Sequence, residues 1–189
     1  MRRLGGSALG VLALISLAAC EADTTPGTPR CDAPGDAMVL VAQSVPSATQ
    51  LPCVAELPAG WRFEEQQVAS RITMFWLGSD IAGTHAVQVE LLPGCDIAGA
   101  VSVPSTADDE LGLERFDRPE QLRPLRLVRF YRFEGGCIVY RYAFSSAAPS
   151  ALQFEADEAL SFLPRADVVQ SVAKDYGLKL CGAGVSCAG

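Results

Sequence analysis

Histidine occurs once in these 189 residues, at His85. A Ser-His-Asp triad therefore has a single possible base, and no Gly-x-Ser-x-Gly elbow accompanies it. Cys-x-x-Cys pairs are absent too, which argues against a thiolate metal site, and no Asp-x-Asp-x-Asp-Gly run announces a calcium loop. Basic residues are scarce, 15 against 22 acidic ones. Arg2 and Arg3 precede Cys20 and every acid follows it, so from Cys20 onward 13 basic residues face 22 acids, formally −9. Phosphate binding needs a basic face to release counterions, so nucleic acid is excluded as a partner. No motif calls for a metal or a cofactor.

What is present is a chain able to fold. Hydrophobic residues make up 49% and charged residues 20%, outside the range of disordered or coiled-coil sequences. The length suits one domain. Its N-terminus is an address: Arg2 and Arg3 form a short positive region, and Leu4 to Ala19 is apolar apart from small Gly and Ser residues. That stretch is shorter than the about 20 apolar residues of a membrane-spanning helix and suits an export signal, residues 1–19.

The stretch ends Leu17-Ala18-Ala19-Cys20, which resembles the lipobox of bacterial lipoprotein precursors. The resemblance covers residues 1–20 and leaves the fold of the remainder open. It implies cleavage between Ala19 and Cys20, a diacylglyceryl group with acyl chains such as palmitate on the Cys20 sulfur, and a location on the outer face of a cell membrane. Each buried methylene contributes about 0.8 kcal/mol, so two acyl chains anchor stably where one binds reversibly. Residues 20–30 continue into EADTTPGTPR, polar and rich in Pro and Thr, a flexible tether. One globular domain is expected over residues 31–189.

With Cys20 set aside, Cys31, Cys53, Cys95, Cys137, Cys181 and Cys187 form an even set, and three disulfides follow in an oxidising compartment. Cys95 ends one strand-like run and Cys137 begins another, so antiparallel neighbours would bring them together. Closeness of the domain's ends suggests Cys31 with Cys187, leaving Cys53 with Cys181; a Cys181–Cys187 link is the alternative.

The hydrophobic pattern points to an α+β fold, an antiparallel sheet packed against helices that are mostly C-terminal. Met38 to Val41 reads as a first strand and 45–58, with three prolines and Cys53, as a stapled loop. The turn Leu57-Pro58-Ala59-Gly60 delivers Trp61 into the core. Residues 61–68 and 71–77 suggest a hairpin, and 84–92 a third strand. Ser105 to Phe116 could begin a helix, limited by Gly112 and Pro119. Residues 125–144 form two runs around Glu134-Gly135-Gly136-Cys137, and a Gly-Gly turn pairs Phe133 with Ile138, Tyr131 with Tyr140 and Arg129 with Tyr142. Those residues share a core face, with Arg129 over the Tyr142 ring. Leu152, Ala156, Ala159, Leu160 and Leu163 recur at helical spacing up to Pro164. A last helix runs from Arg165 to Tyr176, with Val168, Val169, Val172, Ala173 and Tyr176 inward and Gly177 ending it.

Three groups of residues invite a chemical reading. His85 at a strand start is most simply structural. Asp108, Asp109, Glu110 and Glu114 offer paired carboxylates for glycan hydrolysis, or a calcium site, but acids at a helix start are ordinary dipole partners. Arg126, Arg132 and Arg141, with Phe130 among them, form the only local basic cluster, on the outer face of the 125–144 hairpin, able to accept a carboxylate or phosphate. The expectation is a non-catalytic binding module at the cell surface, its partner an envelope protein, a glycan or a small anionic ligand. An envelope hydrolase and a structural envelope component are the alternatives.

Overall fold

The computed structural model describes residues 27–32, 35–104, 112–122, 125–145 and 149–182, and everything below refers to these. They form helix α1 (Asp36–Ser44), strands β1 (Gln50–Val54), β2 (Trp61–Ala69), β3 (Ile72–Ser79), β4 (Gly83–Leu92), β5 (Val101–Ser102), β6 (Glu114–Gln121), β7 (Arg126–Phe133) and β8 (Gly136–Ala143), then helix α2 (Pro149–Ala159), strand β9 (Leu160–Pro164) and helix α3 (Arg165–Tyr176). The fold is α+β. Seven strands make one antiparallel sheet in the order β2-β3-β4-β8-β7-β6-β5, and β1 pairs with β9 in a second, two-stranded antiparallel sheet.

Alternation along the strands gives the large sheet two different faces. The inner face carries Phe75, Leu77, Val87, Val89, Leu91, Ile138, Tyr140 and Tyr142, which join the main core with α1, α2, α3 and the small sheet. On the outer face Val128, Phe130, Cys137 and Val139 form a second cluster with Leu92, Cys95, Ile97 and Ala100. The segment after β4 is held over that cluster by the Cys95–Cys137 disulfide. Chain-entropy closure of a 42-residue separation is worth about 4 kcal/mol. With both faces covered, β7 and β8 become almost continuously buried.

The expected meander of residues 61–92 is present as β2-β3-β4. Residues 38–41 are corrected from strand to helix. A four-residue apolar run has no period of its own, but Met38, Val41, Ala42 and Val45 are all buried at the i, i+3, i+4, i+7 spacing of one helix face. The stapled loop contains β1, with Pro52 opposite Phe162. Proline survives there because β1 is bridged on its other side only at Val54, so Pro52 loses no ladder bond. Residues 160–163 continue no helix: Leu160–Pro164 pairs with β1, and its apolar residues are drawn into a sheet instead. The expected helix ending at Phe116 is corrected as well, since Phe116 lies in β6, while residues 105–111 fall outside the description.

Two of the cysteine expectations change. Cys31 bonds to Cys53, not Cys187, and Cys53 is therefore not joined to Cys181. The chain entering the domain lies alongside β1, with Val54 N–H donating to the Pro29 carbonyl at 2.7 Å and Cys31 N–H to the Val54 carbonyl at 3.1 Å. That local pairing sets the two cysteines 5.1 Å apart at Cα before any contact between termini matters. Cys181 is disulfide-bonded as well, and Cys187 lies outside the described residues.

The β7–β8 turn falls on Glu134-Gly135, and Tyr131 faces Ile138, two places from the expected register. Gly135 takes φ +78°, and a Cβ there would lie 1.8 Å from the Ser47 carbonyl oxygen. Gly136 is the first strand residue, pressed against Phe133 and Ala48. The Ser47 hydroxyl donates to the Gly135 carbonyl at 2.7 Å and the Thr49 hydroxyl to the Glu134 carbonyl at 2.9 Å, so the loop after α1 holds this turn in place. An even shift leaves each side chain on its expected face.

Candidate functional site

Residues 126, 128, 130 and 132 of β7 alternate with core residues and point to the outer face beside Cys137, Val139 and Arg141 of β8. The four residues singled out as a binding strip meet different fates there. Arg132 stands opposite Glu114 of β6 in register and donates from Nε to its carboxylate at 2.6 Å, with its guanidinium 5.2 Å above the Phe116 ring. Arg141 donates from Nε to Glu90 Oε1 at 3.1 Å, and the same oxygen accepts from Gln88 at 2.8 Å. Phe130, expected amid the arginines as a contact surface, is corrected: it is buried in the outer cluster, with Arg118 5.0 Å above its ring.

Arg126 differs from these. It is exposed and has no partner among the described residues. It lines a recess of about 200 Å³ together with His85, Gln88, Glu120 and Arg141. Residues of β4, β6, β7 and β8 line it. A free guanidinium beside a paired one gives it the means to accept an anionic oxygen.

Among the described residues the other candidates form no catalytic arrangement. Asp108, Asp109 and Glu110 lie outside the described residues, and Glu114 is the ion-pair partner of Arg132 at the start of β6. His85 packs against Trp76 with 5.5 Å between ring centroids, and its Nε2 lies 3.5 Å from Glu64 and 3.6 Å from Glu65. No cluster of His, Cys, Asp and Glu able to hold a metal occurs among the described residues.

Sequence reasoning missed the most elaborate polar arrangement, on the inner face. Arg129 is only 2% exposed, donates to Asp117 at 2.9 Å and to both oxygens of Asp157 at 2.8 Å, and also reaches the Tyr142 hydroxyl at 3.2 Å. Its guanidinium lies 5.4 Å from the centre of the Tyr142 ring, the expected cation–π contact. Arg115 closes the group by donating to Asp117 at 2.8 Å. Burial works against the charge on Arg129, yet Tyr142, Tyr131, Asp117 and Asp157 around it raise its pKa above the ordinary arginine value. Burial likewise opposes ionisation of Asp117, but hydrogen bonds from Arg115 and Arg129 outweigh it and hold the carboxyl below its usual range. Burial pushes the Tyr142 phenol well up, so it is the neutral donor to Asp157, at 2.5 Å. These groups tie β6, β7 and β8 to α2. Asp157 on α2 is part of that tie, and Glu155 accepts from the Trp61 indole at 2.8 Å. A signal was available in the i, i+2 alternation, which puts Arg129 among inward residues where a charge needs acids nearby.

The chain matches no family model, no curated protein and no solved structure among those it was compared with.

Proposed function

We propose that this protein is an exported lipoprotein, held on the outer face of a membrane by lipid on Cys20, whose folded domain is a binding module for an anionic group. The observation that carries the binding reading is Arg126, without a partner among the described residues, at the recess with Arg141 and Gln88, where the neighbouring Arg132 and Arg141 are engaged by the protein's own acids. The lipobox Leu17-Ala18-Ala19-Cys20 supplies the address. Disulfides joining Cys31 to Cys53 and Cys95 to Cys137 support an oxidising compartment. The partner is a carboxylate or phosphate on an envelope protein, a glycan or a small ligand.

Two measurements test the two parts. Labelling cells with a tagged palmitate should mark the wild-type protein, and Cys20→Ala should lose the label and stay unprocessed; a label retained by the variant, or a soluble processed product, sinks the anchor. A photoreactive residue at position 85, which also lines the recess, should trap one recurrent partner in intact cells, lost on Arg126→Ala. Diffuse cross-links there would favour a structural envelope role and remove the binding site.

A further inference from the structure

A second open surface lies on the opposite side of the sheet, between α3 and the loop that follows α1. Pro46, Ala48, Ala166, Val169 and Ala173 line a groove of about 520 Å³, with Arg165 and Gln170 in its polar lining. Ligand sites span about 300–1,000 Å³, so the groove is of ligand size. Val169 and Ala173, expected to face the core, are left uncovered because the buried side of α3 narrows to Val168 and Val172. The hydroxyls of Ser47 and Thr49 are already donating to the β7–β8 turn.

Arg165 is the anomaly. Its Nε is buried without a hydrogen-bond partner, and no acid among the described residues pairs with its guanidinium. Burial alone, with nothing opposing it, draws its pKa down. Its side chain is otherwise half-exposed at the groove, so the terminal nitrogens, which bond to no described residue, are the part of the fork that can meet an anion there. From Arg165 to Ala173 runs a mostly apolar track of about two helical turns, Ala166, Val169 and Ala173 with Gln170 beside them. One cation beside a mostly apolar track matches a molecule with one anionic head and one tail.

We propose that this groove binds a fatty acid, its carboxylate on Arg165 and its acyl chain along Ala48, Val169 and Ala173. Arginine presents a planar fork that suits a carboxylate, and the alkyl chain needs no hydrogen-bond partners from the track. The inference draws on the membrane-anchored reading only for the source of the ligand, and it shares no residue with the Arg126 recess.

The test uses the full chain in discs of zwitterionic phosphatidylcholine, exposed to a palmitic acid carrying a diazirine near its methyl end and to the matching palmityl alcohol. Cross-linked peptides should map to residues 46–49 and 166–173. Labelling should fall at least tenfold with the alcohol and in Arg165→Gln, return in part in Arg165→Lys, and stay unchanged in Arg126→Ala. Equal labelling by acid and alcohol, or by the wild type and Arg165→Gln, overturns the carboxylate contact. A protein trapped through a photoreactive residue at position 169, with no fatty-acid labelling, overturns the lipid in favour of a macromolecular partner. Loss of palmitate on Cys20 is read separately, so failure of the anchor and failure of the groove are distinguishable.

Discussion

Arginines at alternate positions of one strand meet opposite conditions on the two faces of the sheet. On the inner face Arg129 is almost wholly buried and is met by Asp117, Asp157 and the Tyr142 hydroxyl. On the outer face Arg132 is exposed and has one carboxylate, while Arg126 has no partner among the described residues. Taking a guanidinium out of water is costly unless acceptors replace its hydration, whereas an exposed one keeps that hydration and needs no partner. Partner count therefore follows burial on this strand. Arg165 breaks the rule, buried at Nε and unpartnered among the described residues, and that exception lies at the groove beside α3.

The largest expected effect is at Arg129. Replacing it with Met leaves Asp117 and Asp157 facing an apolar side chain and should destabilise the fold by about 3–5 kcal/mol, measured as a lower urea midpoint. A loss below about 1 kcal/mol would show that the inner network contributes no more than a surface pair.

An intermediate effect comes from acid. The Asp117 carboxyl is held below its usual value in the folded protein, so its contribution is complete above the ordinary carboxyl range and disappears as pH falls through the lowered folded-state value. Urea midpoints should drop from pH 7 to pH 3 in the wild type and drop less in Asp117→Asn. Parallel slopes for the two proteins would place the acid sensitivity elsewhere.

The smallest effects belong to the outer face. Arg132→Ala removes one exposed pair and should cost about 0–1 kcal/mol, and Arg126→Ala should leave thermal unfolding unchanged. A larger loss on Arg126→Ala would make that residue part of the fold and weaken its assignment to binding.

The hairpins were legible where the signal is local. Alternation over 61–92 and 125–144 fixes strands and faces, and the face assignment survived a two-place error in register because side chains repeat every second residue. Arg165–Tyr176 was legible because a proline precedes it and a glycine, in the left-handed conformation at φ +64°, ends it. Residues 38–41 and 160–163 were misread because short apolar runs fit helix and strand equally well, and their state depends on what covers them. Of the candidate site, the outward position of Arg126, Arg132 and Arg141 followed from alternation. Their pairing did not, because Glu90 and Glu114 reach them only through the order of strands in the sheet.

By itself the sequence determined the lipobox-like run ending at Cys20, the even set of six cysteines behind it and the alternation of the central hairpin, each of which rests on neighbouring residues. Tertiary structure alone decided that Cys31 finds Cys53, that Arg129 finds Asp117 and Asp157, and that Arg165 finds no acid among the described residues. The reason is distance along the chain: which acid or sulfur arrives beside a given residue depends on the packing of β1, β6 and α2, and no local pattern encodes that.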